Sequence, residues 1–109
     1  MSETEFILLF DTVLRNIESQ IDKWIINNNL DIDISRNGNV LNIIFHGDSE
    51  IVINSQVSIQ ELWLAAQNKG YHYRYDGHSW KDTRGGVDFY ETFLKVCSVV
   101  SGISLKTEI

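Results

Sequence analysis

The 109-residue sequence contains no proline, one cysteine and only seven glycines. The single cysteine, Cys97, excludes an internal disulfide framework and any CxxC-type metal knuckle. The glycines are scattered and build no phosphate-cradling loop. Gly85-Gly86 is only a pair ahead of a helical pattern. The lack of proline removes a common source of loop rigidity and predicts modest thermal stability. Basic residues are scarce: nine Lys and Arg stand against fifteen Asp and Glu, for a net charge of -6. A nucleic-acid backbone needs a basic stripe, so this balance argues against such a ligand. No window approaches the roughly 18 consecutive apolar residues of a membrane span. Met1-Ser2-Glu3 opens on an acid, with no basic segment or apolar run of a secretory signal behind it. Together these absences predict a cytoplasmic protein.

What is present is one core's worth of apolar residues, 43% of the chain, in two alternating rhythms. Phe6, Phe10, Val13, Ile17, Ile21 and Trp24 recur every three or four residues, which predicts an amphipathic helix. Ser2 and Glu5 have the spacing of a capping box, and Asn27-Asn28-Asn29 can close the helix in left-handed backbone. Asp11, Arg15, Glu18 and Asp22 fall on its opposite face as an exposed ridge.

The rhythm then shortens to two. Leu30, Ile32 and Ile34 predict a half-buried strand, with Asp31 and Asp33 pointing the other way, beside the helix. Asn37-Gly38 reads as a hairpin turn, followed by a strand over 40–45 and a turn over 46–49. Further strands are expected over 50–54, 58–66, 71–75 and 79–82. A last helix starts at an Asp88/Glu91 capping box, carries Phe89, Phe93, Val96 and Val100 on one face, and ends at Gly102. Two helices with single apolar stripes can cover only one face of such a sheet. The pattern therefore predicts an α+β fold: a two-layer α-β sandwich. Its N- and C-terminal helices pack on one face of a five- or six-stranded antiparallel sheet. Residues 1–102 form the single domain and 103–109 a short C-terminal tail.

No catalytic constellation emerges. Cys97 lies by an apolar helix face with nothing to lower its pKa. His46, His72 and His78 lack metal-ligand spacing and read as surface or turn residues. Trp24 and Trp80 read as core or edge packing. Two features stand out. Seven acids fall within residues 1–36 (Glu3, Glu5, Asp11, Glu18, Asp22, Asp31 and Asp33) against only Arg15, Lys23 and Arg36. That end is a solvated surface, a match for a basic partner, or a weak all-oxygen site for a hard cation. The other feature is Trp63. If Leu62 and Leu64 face the helices, Trp63 and Glu61 face out, as does Asn54, which is opposite in parity to Ile51 and Ile53 on its own strand. An exposed tryptophan on an uncovered sheet is an interaction anchor.

The order Ile53-Asn54-Ser55-Gln56, Leu62-Trp63-Leu64-Ala65, Gly70-Tyr71-His72 and Trp80 resembles the sheet of the frataxin family, most closely its bacterial branch. With the acidic first helix, the resemblance runs to Phe93. It implies the same sandwich, the frataxin-like fold. It also implies an iron-binding, non-enzymatic regulator of iron–sulfur cluster assembly, and partners in the cysteine desulfurase and the iron–sulfur scaffold protein. In that family the ridge on the first helix and strand binds ferrous and ferric iron, and contacts a basic patch of the desulfurase. The matching metal residues are Glu18, Asp22 and Asp31, with Asp33, Glu3 and Asp11 beside them. The bacterial pattern places acids where this chain has Ser19, Lys23, Ile25, Asn27 and Asn29, so iron is expected to bind weakly and reversibly. The sheet residues that meet the scaffold match Asn54, Gln56 and Trp63, and His72 and Arg74 extend the patch. A monomer is expected, with iron-induced oligomers as the open alternative. The rival readings are an iron-independent interaction module and an iron-oxidising, iron-storing protein.

Overall fold

A computed structural model describes residues 1–107 and 109. Helix α1 (Glu3–Asn28) is followed by six strands: β1 (Ile32–Asn37), β2 (Val40–Phe45), β3 (Ser49–Gln56), β4 (Glu61–Ala66), β5 (Lys69–Tyr75) and β6 (Trp80–Asp82). Helix α2 (Phe89–Ser101) closes the order. Each strand pairs antiparallel with the next, so the sheet is a plain meander, β1-β2-β3-β4-β5-β6.

Local chemistry sets the helix ends. Ser2 Oγ accepts the Glu5 amide at 3.1 Å and Asp88 Oδ1 accepts the Glu91 amide at 3.0 Å, each satisfying a donor in a first turn. Asn29 (φ 52°) and Gly102 (φ 77°) end the helices in left-handed backbone. The full expected stripe of α1, from Phe6 to Trp24, is buried. It packs with Phe89, Phe93, Val96 and Cys97 of α2 over Leu41, Ile43, Phe45, Ile51, Ile53, Leu62, Leu64 and Tyr73 of the sheet. Burying one such aliphatic or aromatic side chain contributes about 1.5–3 kcal/mol. Both helices therefore cover one face, and the alternate residues of β2 to β5 form an open face.

β3 and β5 are longer and β6 one residue shorter than in the sequence reading, and β1, its hairpin loop and β4 also differ from it. β1 begins at Ile32, which pairs with Phe45, and runs on to Asn37; Leu30 lies outside the ladder. The hairpin loop is thus Gly38-Asn39, with Gly38 at φ +60°. β4 begins at Glu61 rather than Ser58, because Val57–Ile59 makes a 3-10 turn closed by Gln60 at φ 52°. Ile59 has the outward parity of Glu61 and Trp63, and the 3-10 turn takes residues 57–59 out of the ladder, which ends at Gln56 and Glu61. Residues 103–107 are irregular but fastened to the helices. Leu105 is buried, the Trp24 indole donates to the Lys106 carbonyl at 2.8 Å, and the Thr107 hydroxyl donates to Gln20 Oε1 at 3.0 Å.

Candidate functional site

The open face carries one continuous polar and aromatic cluster. Antiparallel register puts Asn54 of β3, Trp63 of β4 and His72 of β5 in one row across the sheet. Gln56 faces Glu61 in the next row. The indole of Trp63 stacks on the His72 imidazole, with ring centroids 4.1 Å apart and planes 7° from parallel. Its Nε1 donates to Glu61 Oε1 at 2.9 Å. Arg74 Nε donates to the other oxygen, Oε2, at 3.0 Å, and His72 Nδ1 lies 3.7 Å from Oε1. Gln56 Nε2 donates to Asn54 Oδ1 at 3.1 Å.

Glu61 is the centre of this arrangement, and its residue is only 7% exposed although it sits on the uncovered face. Burial pushes its carboxyl pKa up. The hydrogen bond from Trp63, then the bond and charge of Arg74 and the nearby His72, outweigh that and hold it below the ordinary carboxylate value. A charged acid with both oxygens engaged fixes the indole plane. Trp63 is thus half-buried and oriented, with one ring face against His72. Leu62 and Leu64, by contrast, are buried on the helix side. Asn54, Gln56, Trp63, His72 and Arg74 all lie on the open face, and the structure brings them together. Glu61 was placed on that face by its parity, but its role as the hub was not read. The readable signal was its two-residue spacing from Trp63, which makes them same-face neighbours.

The acidic residues are dispersed. α1 rises about 1.5 Å per residue, so Glu3 in its first turn lies roughly 28 Å along the axis from Asp22. The two cannot share an ion. Asp33 alternates with Ile32 and Ile34, which face the helices, so it lies on the open face and not beside the α1 ridge. Asp31 is exposed just before β1, where its carbonyl accepts the His46 amide at 2.8 Å. Glu18 and Asp22 remain neighbours one helical turn apart.

Asp11 is already engaged. Arg15 Nε holds its Oδ2 at 2.8 Å, and Arg36 Nη2, reaching over from β1, holds its Oδ1 at 2.5 Å. The other nitrogen of Arg36, Nη1, lies 3.5 Å from Glu18 Oε1. The Arg36 hydrogen bond leads the effects that hold the Asp11 carboxyl below its ordinary value. Among the described residues, no three His, Cys, Asp or Glu side chains converge where they could hold a metal ion. His46 and His78 are exposed in turns, and burial pushes the Cys97 thiol well above its usual range. No helix among the described residues is long and apolar enough to cross a membrane.

Residues 1–102 match the family described as the frataxin-like domain. The iron-sulfur cluster assembly protein CyaY of Bordetella petrii is 48% identical over 103 residues, which cover 94% of each chain. The protein of the same name from Cupriavidus metallidurans is 39% identical over 105 residues, 96% of this chain and 95% of that one. Among solved structures, a frataxin from Psychromonas ingrahamii matches with a TM-score of 0.84 at 29% identity, covering 97% of each chain.

Proposed function

We propose that this chain, which belongs to the frataxin-like family, serves iron–sulfur cluster assembly in the cytoplasm as a docking regulator. The observation that carries this reading is the Trp63 cluster: a large aromatic ring, half-exposed, held in one orientation on the face that no helix covers. Ordering flexible side chains opposes association, so a ring fixed beforehand anchors a partner at lower entropic cost. Tryptophan and arginine are also the residue types that concentrate binding energy. The partner at this face is the iron–sulfur scaffold protein, met by Trp63, Asn54 and Gln56, with His72 and Arg74 at the rim.

The α1 ridge is the second contact and serves a basic surface of the cysteine desulfurase. Iron is cargo, held weakly and reversibly by exposed carboxylates such as Glu18, Asp22 and Asp31, with Asp33 and Glu3 as outlying contributors. Exposed, all-oxygen ligands without imidazole or thiolate favour hard ions and hold them loosely. The protein acts as a monomer and needs no catalytic group of its own. The engagement of Asp11 and Glu18 by arginines favours a second reading, in which the ridge docks its partner without iron.

Reconstituted cluster assembly on the scaffold, driven by purified desulfurase, tests the proposal. Adding this protein should change the rate, and Trp63→Ala should abolish the change. A rate indifferent to the wild-type chain at any ratio would refute the proposed role. Repeating the assay with iron withheld from the protein before mixing separates the two readings of the ridge.

A further inference from the structure

Arg36 occupies an unusual place. Ile32, Ile34 and Arg36 share one parity on β1, and the first two pack against the core under α1. β1 is the edge strand of the sheet, and its third position on this face, Arg36, pairs with the buried Leu41 of β2. A long side chain there can lay its stem along the apolar edge and push its charged head into water. That head emerges on the α1 ridge. There the planar guanidinium spans two carboxylates seven residues apart, Asp11 at 2.5 Å and Glu18 at 3.5 Å. With Arg15 on its other oxygen, Asp11 has a cationic partner on both.

We propose that Arg36 is the ridge's own built-in cation, which closes Asp11 and one oxygen of Glu18 to any divalent metal ion or basic partner side chain. The inference deepens the proposed role of the ridge and rests on that reading only for its biological use. An arginine in a protein does not lose its charge, so the clamp holds at every pH at which Asp11 is ionised. A metal ion must instead displace the guanidinium, and it gains only the difference between the two attractions. Asp22 is not among the carboxylates that Arg36 holds. Among the described residues, the ridge is therefore divided into a half neutralised around Asp11 and a half around Asp22 that Arg36 does not hold. This division makes Arg36 a residue that sets where, and how weakly, a cation is taken.

Titration of Mn²⁺ into the isotope-labelled full chain tests this directly, because the ion broadens the amide signals near its site. In the wild type, the Asp22 amide should broaden before that of Asp11. In Arg36→Gln, broadening at Asp11 and Glu18 should begin at about 30-fold lower Mn²⁺, the effect of removing one unit charge about 4 Å from a divalent ion in a water-like medium. Arg36→Lys keeps the charge but loses the two-pronged reach, so it should fall between the two. Its near-native chemistry also keeps the test open if the glutamine variant is unstable. Equal Mn²⁺ concentrations for Asp11 and Glu18 broadening in all three proteins would overturn the proposal. The measurement uses this chain and a metal ion alone. A protein without effect on cluster assembly would therefore sink the functional reading and leave this result standing.

Discussion

Asp11 and Glu61 are two carboxylates with similar partners and different surroundings. Each has both oxygens occupied, and each has an arginine on one of them. Asp11 stands on a helix surface with its side chain 26% exposed, and its second partner is another flexible arginine. Glu61 is 10% exposed by the same measure, and its second partner is a ring already stacked on a neighbour. Water makes the difference. At the ridge, solvent and salt screen the attraction, the long side chains can let go, and the interaction tunes charge without fixing shape. On the open face the acid is shielded from water and its bonds hold a surface in one conformation. In the proposed role, one cluster sets affinity for cations and the other presents the binding anchor.

The largest expected effect tests the geometry beneath the comparison. Leu62→Ala should destabilise the fold by about 2–5 kcal/mol in denaturant unfolding, because its side chain is fully buried on the helix side. A loss below 1 kcal/mol would mean that β4 is turned over and that Glu61 and Trp63 belong to the core. Next in size is the contrast itself. Glu61→Ala leaves the half-buried indole N–H without its acceptor and should cost about 1–3 kcal/mol. Asp11→Ala breaks only surface ion pairs and should cost at most about 1 kcal/mol. Equal losses would erase the distinction between the two clusters.

A smaller and more diagnostic effect lies in acid. Both carboxyls are held below their ordinary values, 4.5 for Glu61 and 3.8 for Asp11. Their contributions are therefore complete above those values and are lost as pH falls through the lower folded-state values. Melting followed from pH 6 downwards should be less acid-sensitive in Glu61→Gln than in the wild type. That difference should survive molar salt, where the screening length is only about 3 Å, whereas the corresponding difference for Asp11→Asn should vanish. Salt erasing both would show that Glu61 is as wet as Asp11.

Much of this was readable from residue order. The i, i+3/i+4 stripe of α1, the Ser2 and Asp88 caps, the Asn29 and Gly102 ends and the parity of Leu62 against Trp63 are local, and local chemistry decides them. The parts that escaped depend on contacts distant in sequence. Trp24 and Lys106 are 82 residues apart, so nothing near either one signals that residues 105–107 return to α1. Arg36 meets Asp11 across 25 residues, and counting acids along α1 gave no hint that another element brings the neutralising charge. Asp33 was expected beside the helix because it follows α1 closely in sequence. Its alternation with Ile32 and Ile34 sends it to the other face. Glu61 shows the same limit in a milder form. Its parity was visible, but the burial that makes it a hub required Trp63, His72 and Arg74 to be in place together.

The most direct test of the anchor is the indole N–H signal of Trp63. Trp24 and Trp80 are buried at 2% and 4% exposure, so their indole signals serve as internal references in the same spectrum. Titrating the unlabelled iron–sulfur scaffold protein should shift or broaden the Trp63 signal and leave those two nearly unmoved. Trp63→Ala should then weaken scaffold binding by about 30-fold or more, the loss of an anchor worth about 2 kcal/mol. A scaffold that binds the labelled chain with the Trp63 signal unmoved, and the alanine variant equally well, would contradict the account.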